Sequence, residues 1–425
     1  MKTFLQPLQN LAEMEEIQKQ AKKNRGILEI SGCMESQKAH LMYGLSGLFP
    51  CHLVIAADEK SAKELYEDYR FYDKRVYYYP AKDLLFFQAD IHGNLLIRQR
   101  MQVIRALLER EDEITVVTSI DGCMDYLAPL EKIEKQLIHF RNDSTLDMDK
   151  LTAALVHMGY ERVGQVEMPG QFSIRGGIID IYSLTEENPW RIELWGDEID
   201  SIRSFDAQSQ RSLENLDDVT IYPAAEQPME KNGVSFLDYF KETETLFFLD
   251  ELNHLEENAK AVQEEFQQSC ENRKEKGEIS LSGDWMCTWE ELCHKINDRN
   301  CVAMSLLDPK KSNWKISGQF NITVKSMSSY QSSFELLVKD LKQYKKEGYQ
   351  IVLLSGSRTR AERLAKDLQE EGLNAFYGQD SDRILQPGEI MVAYGHARRG
   401  FEYPLVKFAV ITETDIFGKE QKKRK

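Results

Sequence analysis

The chain has 425 residues, 42% of them hydrophobic and 29% charged, with a formal net charge of −16. That length allows two to four domains with sizeable cores. The acidic balance speaks against a general nucleic-acid clamp, because binding phosphates needs a basic surface. No apolar run approaches the roughly 18 residues that cross a bilayer, and the N-terminus lacks the apolar core of a signal peptide. The seven cysteines form no CxxC pair. Reduced thiols and a cytoplasmic setting are therefore expected, not a disulfide frame or a zinc site.

After a helical start, residues 26–30 (GILEI) read as a short buried strand, followed by a turn and a helix with Leu41, Leu45 and Leu48 on one face. Strand 52–57, helix 58–72, strand 75–79, helix 97–110 and strand 113–119 follow. Strands alternating with helices indicate a doubly wound parallel sheet, an α/β fold. The aromatic run at 76–79 reads as a buried parallel strand in preference to a base-stacking platform. Near residue 130 the pattern changes to short strands with turn residues. The reading is an α+β domain over 130–217 inserted into an α/β domain, whose two halves are 1–129 and 218–320. The returning half holds the apolar run VTIYPA at 219–224, the strand 245–251, a polar helix 254–276, a helix 285–297 and the strand 301–307. A connector at 314–328 leads to a second α/β domain, 325–418, with helices 332–346 and 358–371. Residues 419–425 form a charged linker.

Two stretches resemble catalytic motifs. Gly32 and Lys38 have the spacing of a phosphate loop between a strand and a helix. Yet Gln37 stands where the second Gly lets backbone amides wrap a phosphate, and Ala39 replaces the Ser/Thr that holds magnesium. Glu35 adds a negative charge. The loop is either a relic of a nucleotide site or a plain strand–helix turn, and both readings predict no ATPase. The second stretch is the strand ending in Asp250-Glu251, the usual place for a metal-holding acid and a water-activating Glu. Without a working loop it has nothing to act on, so it is read as structural. The alternative is a cryptic nucleotide-dependent, helicase-like module using Lys38, Asp250 and Glu251. The His residues do not cluster with carboxylates or cysteines at metal-ligand spacing, and there is no GxSxG.

The strand Trp190–Trp195 alternates strictly. Trp190, Ile192 and Leu194 line one face and can bury, while Arg191, Glu193 and Trp195 line the other. Exposed Arg beside exposed Trp is the composition of an interface hot spot. A Trp tucked under a loop fits the same periodicity, and parity does not separate the two.

The string IRGGIIDI at 174–181, with RIEL at 191–194 and DEIDSIRSFD at 197–206, is specific. It resembles the module shared by the excision-repair helicase UvrB and the bacterial transcription-repair coupling factors (Mfd). The continuations QSQRS at 208–212, GFEYP at 400–404 and VITETDIFG at 410–418 resemble the coupling factors, and the resemblance covers essentially the whole chain. It implies a UvrB-like, degenerate RecA/helicase-type sheet domain with an inserted α+β domain and a second α/β domain. With the loop broken, and no room after strand 75–79 for UvrB's damage-probing hairpin, it implies loss of ATP use and of damage probing. Carried over by motif, two arginines and an aromatic that contact UvrA fall at Arg175, Arg191 and Trp195, where the family often has Phe at the last. The resemblance further implies a non-catalytic adaptor, without cofactor, that recruits UvrA to stalled RNA polymerase in transcription-coupled excision repair. ATP, magnesium, double-stranded DNA and polymerase would be engaged by a translocase whose motifs this chain lacks. A C-terminal domain, also lacking here, would mask the UvrA-binding face.

Overall fold

The computed structural model describes residues 1–23, 25–82, 93–111, 113–226, 233–275, 286–307, 314–378 and 382–418. The first α/β domain is organised by a seven-stranded sheet in the order Ile316–Asn321, Gly26–Ser31, Asn300–Ser305, Thr245–Asp250, Cys51–Ala56, Ile114–Ser119, Val76–Tyr79, every neighbouring pair parallel. Strands buried on both faces read as near-continuous apolar runs, as TLFFLD and ITVVTS do. Alternate residues feed opposite cores: Leu53 and Ile55 pack with Phe247, Leu255 and Trp289, while Val54 packs with Phe248, Leu41 and Leu45. Val76–Tyr79 is an edge strand whose last ring stacks on Phe236 at 3.8 Å. The expectation of no hairpin after this strand falls on residues 83–92, outside those described.

The inserted domain carries a six-stranded sheet, from Glu161–Arg162 through Gln171–Arg175, Ile178–Ile181, Trp190–Trp195 and Glu198–Phe205 to Ser212–Leu216, with strands neighbouring in sequence order. Phe172, Ile179, Ile181, Trp190, Ile192 and Ile202 form its core. One boundary differs from the sequence reading. Asp218–Ile221, read as the return to the α/β domain, instead pairs antiparallel with Ile138–Arg141, and Val219 and Ile221 enter the inserted domain's core. Alternation over four residues identifies a strand but not the sheet that receives it.

Arg100, on helix Gly93–Glu109, marks the junction between the two domains. Its fully buried guanidinium donates to the Pro80 carbonyl (3.0 Å) and to Asp125 Oδ2 (3.0 Å), and pairs with Glu226. Asp125 precedes the insertion and Glu226 closes it, so one cation ties both crossings. Burial opposes charge on Glu226, but Arg100 and Lys82 hold its carboxyl below the usual range.

Other differences concern edges. Helix Trp289–Asn297 starts later than read, because Thr288 Oγ1 accepts the Glu291 N–H and caps it; Trp285 is outside the described residues. The stretch read as a connector supplies Ile316–Asn321, the edge of the first sheet. The second α/β domain has the order Lys325–Ser326, Phe401–Tyr403, Phe408–Thr412, Gln350–Ser355, Glu389–Tyr394, Asn374–Gly378, the last four parallel. The charged linker at 419–425 is outside the described residues.

The two α/β domains share one core. Phe4, Leu8, Leu41 and Leu45 pack in a single cluster with Val352, Leu354, Phe401 and Tyr403. Arg398 reinforces the contact: its backbone N–H and Nε donate to the buried Asp68 (2.9 and 3.0 Å), and its guanidinium also pairs with Glu64.

Candidate functional site

The outer face of the inserted sheet is set by one hairpin. Gly176, with φ +61°, turns Gln171–Arg175 into Ile178–Ile181, a left-handed conformation that suits glycine. The pairing sets Asp180 opposite Ser173 on one side and Arg191 on the other. Arg175 lies two residues from Ser173, so Arg175, Asp180 and Arg191 share a face.

Their side chains meet. Arg191 Nε donates to Asp180 Oδ1 (2.7 Å), and its Nη2 to Oδ2 (2.9 Å); Arg175 Nη2 donates to the same Oδ2 (2.7 Å). Asp180 pushes the pKa of Arg191 up against its partial burial. Arg191 also lies 4.4 Å from the Phe205 ring centroid and donates to Gln210 Oε1 (3.0 Å). Gln210 has φ 59° and ties back to the Ala207 carbonyl (2.8 Å), so the 206–211 loop folds over Arg191. Side-chain exposure follows: 16% for Arg191 and 48% for Arg175. Trp195 stands opposite Glu198 at the turn end of its hairpin and is 83% exposed. Of the two readings left open by parity, the indole takes the exposed one, while the loop covers Arg191. The structure thus brings Arg175 and Arg191 together and leaves Trp195 displayed on the same sheet. Sequence reasoning missed Asp180, although an acid in the otherwise all-Ile strand Ile178–Ile181, directly across from an Arg, was a usable signal.

The loop after the first strand is occupied by the protein itself. Gly32 has φ +80°, and a Cβ there would collide with the Ile322 carbonyl oxygen. Gln37 Oε1 accepts the Met34 N–H (3.0 Å), and its Nε2 donates to Tyr403 Oη (2.8 Å). His40 continues the chain. Its Nε2 lies 2.8 Å from the Phe4 carbonyl, which fixes that nitrogen as the donor and leaves Nδ1 to accept from Tyr403 Oη at 3.2 Å. Burial pushes the His40 pKa down to about 4, so the ring is neutral. Ala39 is fully buried and offers no hydroxyl.

Lys38, Asp250 and Glu251 do come together. Lys38 Nζ donates to Asp250 Oδ1 and to Glu251 Oε1, each at 2.6 Å. Glu251 reaches it from a left-handed backbone, φ 56°, and also accepts the Leu306 N–H at 3.0 Å. Burial disfavours the ammonium, but the two carboxylates outweigh this and hold the Lys38 pKa above the usual lysine range. A nucleotide phosphate with magnesium does not fit this loop: the amide cradle is filled by Gln37 and the 322 backbone, and the lysine is neutralised in place. Among the described residues no group of three or more His, Cys, Asp or Glu side chains is arranged to hold a metal.

The structure is thus a parallel-sheet α/β domain whose strand–helix turn departs from a phosphate loop, carrying an inserted α+β domain that displays Trp195 on the sheet holding Arg175 and Arg191. Residues 138–226 match the family model "UvrB interaction domain". Over most of its length the chain is similar to transcription-repair-coupling factors. That of Bacillus subtilis (strain 168) is 29% identical over 470 aligned positions, covering 93% of this chain and 40% of the relative. Those of Staphylococcus haemolyticus and Staphylococcus epidermidis are 26% and 25% identical, covering 82% and 83% of this chain and 34% and 35% of the relatives. The chain spans two fifths or less of the length of these relatives. A solved structure, "DEAD-box helicase Mss116 bound to ssRNA and UDP-BeF", aligns over 93% of this chain and 64% of that one at 9% identity and a TM-score of 0.25, too low to carry an argument.

Proposed function

We propose that this chain is the UvrA-recruiting part of a transcription-repair coupling factor and that it acts by binding, without chemistry of its own. The observation that carries this reading is the 83% exposed Trp195 on the same sheet as the Arg175–Asp180–Arg191 cluster, within residues matched to the UvrB interaction domain. An aromatic displayed next to planar guanidinium forks supplies apolar area and carboxylate recognition together. In this reading UvrA is brought to RNA polymerase stalled at a lesion. Polymerase release, double-stranded DNA translocation and the use of ATP and magnesium belong to regions of the relatives that this chain does not span, as does a C-terminal domain that masks the UvrA-binding face. The described residues include no helix long and apolar enough to cross a membrane, in keeping with a cytoplasmic setting.

Capture of UvrA tests the proposal. Trp195→Ala, at a site that contributes no core packing, is expected to fold normally and to lose UvrA; full capture by this variant would reject the face. Calorimetry with ATP and magnesium tests the non-catalytic part, with no specific heat expected. Binding heat that disappears in Lys38→Ala would favour the nucleotide-dependent alternative.

A further inference from the structure

We infer that Asp180 is the positioning residue of this face: wedged between Arg175 and Arg191, its carboxylate presets both guanidiniums for a carboxylate of the partner. The inference rests on the UvrA-binding reading above. Asp180 is 1% exposed, and an ionised carboxylate is buried at a cost that only close pairing offsets. An isoleucine, as at the neighbouring positions of its strand, would serve the fold alone. Instead Oδ2 accepts from both arginines and Oδ1 from Arg191 Nε.

The arrangement leaves donors to spare. Arg175, the more exposed, commits only Nη2 to Asp180 and keeps most of its N–H groups for a second acceptor; Arg191 commits Nε to Asp180 and Nη2 to Asp180 and Gln210, which leaves it Nη1. Two cations around one anion leave a net positive charge on this triad, and the neighbouring Glu193 is paired with Arg203. Residues 138–226 hold 7 Lys/Arg against 17 Asp/Glu. An approaching carboxylate is repelled by most of this domain and attracted at the arginine pair, which gives the contact its register. Because the two arginine side chains are ordered before the partner arrives, their rotamer entropy is not lost on binding.

Asp180→Asn keeps the shape and removes the charge. Its amide N–H groups would face guanidinium donors, so one arginine must let go; Arg175, the more exposed, is released. UvrA affinity measured by titration is expected to fall about tenfold, the scale set by ordering one or two long side chains. The readout that separates positioning from general support is coupling to Arg175. In the Asp180→Asn background, adding Arg175→Ala is expected to change affinity less than about twofold, whereas independent losses multiply. Arg175→Lys, which keeps the charge but not the planar fork, provides a variant that leaves the buried carboxylate intact, and it is expected to lose as much as Arg175→Ala. Wild-type affinity of Asp180→Asn or of Arg175→Lys, or multiplying losses in the double variant, overturns the inference. If Trp195→Ala loses UvrA while Asp180→Asn does not, positioning alone fails. If Trp195→Ala also binds normally, the UvrA reading fails with it.

Discussion

Lys38→Ala separates a structural lysine from a phosphate-binding one. In the folded chain the ammonium sits 2.6 Å from each of two carboxylates, with side-chain exposures of 8% for Lys38, 10% for Asp250 and 24% for Glu251. Removing one partner of a buried ion pair costs about 3–5 kcal/mol, because the remaining charge stays buried without compensation. Here two acids lose their cation at once, so the upper part of that range applies. At roughly 2–4 °C per kcal/mol for a domain of this size, the melting midpoint falls by on the order of 10 °C. Scanning calorimetry with and without ATP and magnesium reads this directly. The triple change Lys38→Met, Asp250→Leu, Glu251→Gln is expected to recover most of the loss, since apolar replacement of a buried ion cluster is close to neutral. A Lys38→Ala protein that melts like the wild type refutes the reasoning, and so does a nucleotide-induced rise in midpoint that only the wild type shows.

Burial holds the His40 pKa at about 4 against a usual 6.5. The unfolded chain therefore takes up a proton that the folded one refuses: the His40 contribution is fully present above about pH 6.5 and is lost as pH falls toward 4, by up to about 3 kcal/mol. Urea melts of the wild type and His40→Gln across this window are expected to differ in slope, and parallel pH profiles would exclude the effect. Tyr403→Phe removes the hydroxyl shared by Gln37 and His40, leaving buried polar atoms without a partner at a cost of about 1–3 kcal/mol. Limited proteolysis of the contact between the two α/β domains is expected to accelerate, and unchanged protection counts against the relay. Arg100→Met leaves Asp125 and Glu226 buried around a missing cation. A loss of about 3–5 kcal/mol is expected, seen as faster hydrogen exchange at 125–128 and 222–226; a change confined to the helix would argue against a shared junction.

Much of the fold is local and was legible. Continuous apolar runs bounded by helices mark a parallel sheet, and alternation over 190–195 sorted Arg191 and Trp195 onto the outer face. What escaped the sequence depends on partners distant along the chain. Nothing within 206–211 announces that Gln210 and Phe205 enclose Arg191. The strand at 218–221 carries no mark of pairing with 138–141, and Gly32 signals a turn without revealing that Ile322 fills its open side. Gln37 and Ala39 stood out as departures from a phosphate loop. Their positive role, a helix start docked against Tyr403 and the N-terminal helix, required knowing that the second α/β domain packs there.

In the proposed reading the inserted domain displays a UvrA-binding face. Isothermal titration of UvrA into the full chain and its Trp195→Ala variant tests it most directly. A hot-spot aromatic is worth about 2 kcal/mol or more. Binding by the variant is expected to be roughly thirtyfold weaker or worse, with an unchanged melting midpoint. Equal affinity for the two proteins contradicts it.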